Sequence, residues 1–280
     1  MIVVTGSTGT IGSEVVRQLA ARGEKVRALT RDPAQAEVPA GVEAVRGHHR
    51  DRASVTAAME GAQAAFLIGT FGPDDADHDR GLVEAARAAG VRRIVKLSAL
   101  GTGDPAVGPF STWHLPGEQA VRDSGLEWTI LRPTTFASNT LAWASAVREG
   151  APVPNTSGDG KQGLVDPRDV AAVAVEALLS GRHTGRTYTL TGPETLSVPE
   201  QVEVLADALG HPVERHDLSA AEAREGIRAM GIDEAFADAA DYIRDGGVDI
   251  VTEDVREVLH RPARTYREWA QDHKSAFARA

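Results

Sequence analysis

The stretch MIVVTGSTGTIG at residues 1–12, running into SEVVRQLAARG at 13–23, decides how the rest of the chain is read. Three apolar residues make a short strand, a glycine-rich turn follows, and an amphipathic segment then opens. A Gly-x-x-Gly-x-x-Gly spacing says little alone, but between a strand and a helix it carries meaning. Gly6 permits the tight turn, Gly9 lets backbone N–H groups approach a diphosphate, and Gly12 lets the helix pack close to the strand. The free amides and positive end of that helix then form an anion site.

Outward from this unit, short apolar runs alternate with helical-period segments. Strands are expected at residues 2–4, 25–29, 42–46, 64–68, 92–97 and 127–131, with helices near 10–22, 52–60, 76–89 and 113–124. Strict alternation of strand and helix means parallel strands joined by right-handed crossovers. The fold class is therefore α/β: a Rossmann-type doubly wound parallel sheet. The later chain is less regular. Asp166-Pro167 reads as a cap with proline in the first turn, opening a helix that ends near Gly181. Residues 187–190 read as one more strand, and Ser197-Val-Pro-Glu200 as a capping box. Segments 219–246 and 264–274 read as helices with little strand between them. This predicts a dinucleotide-binding domain of residues 1–135 plus about 163–195. A smaller, mainly helical lobe would take about 136–162 and 196–280.

Bulk properties narrow the partner. With 280 residues, 42% hydrophobic and 25% charged, the chain can bury one large α/β core. A net charge of −10 and the lack of any basic run argue against nucleic acid. No basic amphipathic helix suits an anionic membrane, and no apolar stretch approaches the roughly 20 residues of a span. The opening has no positive leader and only three apolar residues, so a cytoplasmic protein is expected. Cysteine is absent, which removes thiolate nucleophiles and cysteine metal sites. A small-molecule partner remains.

The second strand ends in Leu29-Thr30-Arg31, where a site selecting NAD usually places an acid on the ribose 2′-OH. A guanidinium suits a 2′-phosphate instead. Arg31 thus points to NADPH over NADH.

Taken with TGSTGTIG, the segments ALTRDP, KLSALG, SGLEWTILRP, LVDPRDVAAVAVEAL and YTLTGPETLS resemble atypical short-chain dehydrogenase/reductases of the NmrA-like group, particularly its quinone-reductase-like bacterial members. The resemblance covers nearly the whole chain. It implies that Thr8, Gly9, Thr10, Ile11 and Gly12 hold the phosphates. It also implies that Gly69 and Thr70 lie along the cofactor and that Pro133 approaches the nicotinamide. One departure is Gly47-His48-His49, where relatives commonly carry Gly-Asp near the adenine.

The superfamily's Tyr-x-x-x-Lys pair is missing: the tyrosines are Tyr188, Tyr242 and Tyr266, none in the right place. His114 and Glu118 stand there instead, an exchange seen in the quinone-reductase-like members, and Ser98 falls near the superfamily's serine. A well-placed acid is worth about 10²–10⁴ in rate when the product is a strongly basic alkoxide. Hydride addition to a quinone yields a phenolate-like anion, near pKa 10 by analogy with tyrosine, which needs less help. His114 is then the candidate donor, with Glu118 at i+4 orienting it if one helical face carries both. Pro116 pushes His114 toward the helix start and tests that geometry. Phe71, Trp113, Phe136, Asn139 and Trp143 follow strand ends, where open α/β sheets bind ligands, and suggest a flat apolar acceptor.

The expected activity is NADPH-dependent reduction of a quinone or conjugated aromatic ketone, an aromatic polyketide intermediate being one such acceptor. The alternative is a cofactor-sensing protein without turnover, since the Tyr/Lys pair is lost. The acidic run at 73–79 fails as a calcium loop because Arg80 and Ala86 occupy its sixth and twelfth positions, so no metal is expected.

Overall fold

The computed structural model describes residues 1–48, 51–69 and 76–278. Along the chain run β1 (Ile2–Val4), α1 (Thr10–Ala21), β2 (Val26–Thr30), β3 (Glu43–Arg46), α2 (Arg52–Met59), β4 (Ala64–Leu67) and α3 (Ala76–Ala88). Then come β5 (Arg93–Leu97), α4 (Leu115–Arg122), β6 (Glu127–Pro133), α5 (Ala144–Glu149), β7 (Val153–Asn155), α6 (Pro167–Leu179) and β8 (Arg186–Leu190). The remainder is α7 (Val198–Leu209), β9 (Arg215–Asp217), α8 (Ala220–Ala229), α9 (Ala235–Arg244), α10 (Asp254–Leu259) and α11 (Tyr266–His273).

A seven-stranded sheet has the order β3-β2-β1-β4-β5-β6-β8, and β1 through β6 pair in parallel. This is the doubly wound Rossmann order, whose strand sequence reverses between β1 and β4. The central strands are apolar on both faces because helices cover both. Val3, Ala65, Leu67, Ile94 and Ile130 meet residues of α2, α3 and α4 in one buried cluster. On the other side α1 packs against α6, and α6 lies on β4, β5 and β6. Each fully buried Val, Leu or Ile stabilises the layer by about 1.5–3 kcal/mol.

The chain forms two compact units. The first comprises residues 1–103, 111–133 and 167–189; the second comprises 104–110, 134–166 and 190–280. Within the second, α7 packs against α11 around Val153, Leu164, Leu205 and Trp269. Trp269 stacks on Tyr266 and His273 at centroid distances of 5.7 and 4.6 Å. The expected capping box at Ser197/Glu200 is formed, and two more open α8 and α11 at Ser219/Glu222 and Thr265/Glu268. This unit also contains strands the sequence did not suggest. β7 and β9 pair in parallel, and all three residues of β9 (Arg215, His216 and Asp217) are exposed, so no apolar alternation marks it.

Candidate functional site

The turn between β1 and α1 is fixed by side chains that motif reading passed over. Thr5 Oγ1 accepts from the Ile68 amide at 2.7 Å and lies 3.1 Å from the Phe66 and Ile68 carbonyls, tying β1 to β4. Ser7 Oγ donates to the Leu29 carbonyl at 2.8 Å, tying the turn to β2. Gly6 adopts φ +58°, a left-handed conformation that favours glycine. A Cβ on Gly12 would stand 2.1 Å from the Gly6 carbonyl oxygen, so only glycine lets α1 begin this close. Gly9 caps α1 with extended backbone, and among the described residues no side-chain cap bonds the first turn. Ile11 and Gly12 are buried, whereas Thr8, Gly9 and Thr10 are exposed. The result is a preformed cradle of backbone donors, open at Gly9 and flanked by the exposed hydroxyls of Thr8 and Thr10, which fits a diphosphate.

Arg31, just past β2, is exposed and has no ion-pair partner among the described residues. The neighbouring Asp32 carboxylate accepts from the Ala34 amide at 3.1 Å, capping a short 3-10 turn. Gly47 follows β3 so closely that a Cβ would meet Leu29 Cδ1 at 2.2 Å, and the His48 amide donates to Ser54 Oγ at 3.2 Å. Thr70 and Phe71 lie outside the described residues, as does His49.

Past β4, β5 and β6 the first unit holds a dense set of charges. Lys96, pointing from the middle of the sheet, pairs with Asp79 of α3 at 2.8 Å, the two side chains being 1% and 0% exposed. Nearby, the buried Glu118 carboxylate accepts from Ser98 Oγ at 2.6 Å and from Arg132 Nε and Nη2 at 2.8 and 2.7 Å. Arg122 adds a contact at 2.9 Å. Burial pushes the Glu118 carboxyl up, but the hydrogen bonds from Arg132, Ser98 and Arg122 and the Arg132 charge together outweigh it and hold the group below its ordinary range. Pro133 ends β6, and its carbonyl accepts from the Leu100 amide at 2.9 Å.

This arrangement corrects two expectations. Glu118 does not orient His114, because both of its oxygens are engaged by Ser98, Arg122 and Arg132. Ser98 does not offer its proton to an acceptor, because that proton goes to Glu118. His114 is the N-cap of α4, with Leu115 and Pro116 in the first two helical positions; its own backbone is already helical, and its carbonyl accepts from the Glu118 amide at 2.9 Å. Its Nδ1 is buried with no hydrogen-bond partner among the described residues. Burial first, and the Lys96 ammonium second, push its pKa down to about 4, against opposing pulls from Asp79 and Glu118. His114 is therefore neutral at pH 7 and can donate a hydrogen bond, but it is not a reservoir of imidazolium protons.

The proposed acceptor contacts divide. Trp113, 5% exposed, is a buried residue of the first unit. In the second unit Phe136 is half-buried beside Val165, Asn139 is exposed, and Trp143 packs against the apolar core. Trp143 thus has a packing role that its position after a strand did not reveal. Lys96 and Arg132 were missed, and Asp79 was read only as part of the acidic run at 73–79. The readable signal for Lys96 was a lysine directly following the buried apolar pair Ile94 and Val95 inside a strand.

An α/β sheet of Rossmann order with a glycine cradle at its first βα turn defines a dinucleotide-binding protein. Residues 6–180 match the NAD(P)H-binding family model, and the chain belongs to that family. It is 44% identical over 283 residues to the (4-alkanoyl-5-oxo-2,5-dihydrofuran-3-yl)methyl phosphate reductase of Streptomyces griseus subsp. griseus, covering 99% of each chain. It is 36% identical to the NAD(P)H azoreductase of Xenophilus azovorans over the full length of both. Among solved structures, the NADPH-dependent quinone oxidoreductase of Escherichia coli in complex with NADPH superposes with a TM-score of 0.84 at 28% identity, covering 97% of this chain and 99% of the other. The protein is an NAD(P)H-dependent oxidoreductase of the atypical short-chain dehydrogenase/reductase type, as the resemblance in its motifs implied. Among the described residues no helix is long and apolar enough to cross a membrane.

Proposed function

We propose that this protein reduces a quinone or a comparably conjugated ketone with NADPH. Bound NADPH would supply the hydride. Gly6, Thr8, Gly9, Thr10, Ile11 and Gly12 would hold its diphosphate, Arg31 its 2′-phosphate, and Gly69 and Pro133 would flank its nicotinamide half. Trp113, Phe136 and Asn139 are the acceptor contacts to test first.

The observation that carries this reading is the placement of His114 at the N-cap of α4, with its ring Nδ1 buried and no hydrogen-bond partner for it among the described residues. Tyr188 is buried with its hydroxyl 2.9 Å from His183 Nδ1, and Tyr266 is buried against Thr140 with its pKa raised by burial. Neither serves as a proton donor. A neutral His114 can stabilise a developing oxyanion with one hydrogen bond, and solvent then completes protonation. That suffices for a phenolate or an enolate spread over a conjugated system, but poorly serves an isolated alkoxide. The names of the relatives support the same class, since an acyl furanone, an azo compound and a quinone are all conjugated electrophiles.

The test is consumption of NADPH, followed by the absorbance of the reduced nicotinamide. A panel of naphthoquinones, anthraquinones and acyl furanone phosphates would be compared with aliphatic ketones. Turnover confined to the conjugated compounds is expected. Equal or better turnover of aliphatic ketones, or none of any, would refute it.

A further inference from the structure

Burying two opposite charges without solvent is costly even when they pair. Strand β5 carries apolar Ile94 and Val95 immediately before Lys96, so an apolar residue would suit that position as well. The Lys96–Asp79 pair calls for a reason beyond stability, and its placement supplies one. Asp79 fills the space left by two absent side chains. A Cβ on Gly69, beyond β4, would lie 2.5 Å from one carboxylate oxygen, and a Cβ on Gly117, in the first turn of α4, 2.2 Å from the other. Lys96 grips that carboxylate and also donates to the Leu97 carbonyl at 2.8 Å, directly before Ser98. One ion pair therefore joins the ends of β4 and β5 to the turn of α4 that begins at His114.

We propose that Lys96 and Asp79 are positioning residues: their buried pair locks the start of α4 onto the carboxyl ends of β4 and β5, so that His114 is presented as a hydrogen-bond donor to the oxygen of the reduced acceptor. The inference rests on the reductase reading above. The charged groups facing His114 are Lys96 from β5, Asp79 from α3 and Glu118 from α4 itself, the last already held by Arg122 and Arg132. Lys96 and Asp79 act on the imidazole with opposite sign.

Three variants test this: Lys96→Met, Asp79→Asn, and the two combined. The double variant removes both charges with little change of shape, so it remains informative where a single variant leaves one buried charge unpaired and fails to fold. NADPH affinity should stay within about threefold of the parent. A displacement near 1 Å at a reacting group costs about 10²-fold, so kcat on a naphthoquinone should fall by that order in the double variant. The His114 imidazole resonances, assigned by difference with His114→Gln, should titrate higher in Lys96→Met and lower in Asp79→Asn. A folded double variant with parental kcat, or singles that leave the His114 titration unmoved, would overturn the proposal. A parent that turns over no conjugated acceptor would instead overturn the reductase reading, while the titration arm still reports on the pair.

Discussion

Alanine at Gly9 and alanine at Gly12 should have opposite consequences for folding and similar ones for binding. At Gly12 the new Cβ would meet the Gly6 carbonyl oxygen at 2.1 Å and the Gly6 carbonyl carbon at 2.6 Å, both backbone atoms that no rotamer change can withdraw. Relief requires α1 to move outward by about 1 Å, and overpacking of this kind costs about 1–3 kcal/mol. Alanine's better helix propensity returns at most about 1 kcal/mol. A net loss of about 1–2 kcal/mol lowers Tm by roughly 2–4 °C in a protein of this size. At Gly9 the added Cβ would have only the Gly6 oxygen nearby, at 3.4 Å, and the backbone there is extended at φ −87° and ψ 174°. Folding should be unchanged, or stabilised by about 0.4–1 kcal/mol through the unfolded chain. Yet either change keeps a diphosphate from the amides, one by moving them and the other by standing before them. Loss of one charge-assisted hydrogen bond, about 1.5–3 kcal/mol, raises the NADPH dissociation constant about 10- to 100-fold. Thermal melts paired with titration calorimetry measure both quantities. Gly9→Ala binding NADPH as tightly as the parent would refute the cradle.

Other perturbations follow from the same geometry. Arg31→Ala should weaken NADPH about tenfold and leave NADH unaffected, by calorimetry, since an exposed guanidinium contributes the lower end of a phosphate contact. The His114 pKa of about 4 lies below its unfolded value of 6.5, so the unfolded state binds more protons between those limits. Stability should be undiminished by this group above pH 6.5 and fall as pH drops toward 4, by about 2–3 kcal/mol at 1.36 kcal/mol per unit. Urea unfolding at pH 7 and pH 4.5 should show this loss in the parent and a smaller one in His114→Gln. Removing the Glu118 carboxylate by Glu118→Ala leaves Arg132 and Ser98 without their buried acceptor and should cost about 3–5 kcal/mol, seen as a fall in Tm.

Much of the fold was legible because the first unit obeys period rules. Apolar runs placed β1, β4 and β5 within a residue of their observed limits, and the amphipathic segment after the glycine turn placed α1, which buries Val15, Val16 and Leu19. The pair β7 and β9 was not legible: three residues joined mainly through backbone, with β9 exposed, leave no side-chain pattern to read. At the first turn, local spacing picked out the glycines that the backbone geometry requires, Gly6 by its positive φ and Gly12 by the close approach of α1. It failed where contacts span the sheet. Glu118 stands four residues from His114 in sequence, yet it answers to Arg132 on another strand and to Ser98 at the end of β5. Asp77 and Asp79 look alike in the acidic run that enters the first turn of α3. The first is exposed beside Arg80, whereas the second is sealed under two glycines, and only three-dimensional packing separates them.

At the border of the sheet β3 exposes one of its margins to water. It carries Glu43 and Arg46 around Ala44 and Val45, with Glu43 bonded to Arg27 of β2 at 2.9 Å. Another chain adding itself along that margin would have to strip water from these charges before gaining a single ladder bond, so the open rim discourages self-templated stacking and helps keep copies of the protein apart at high concentration.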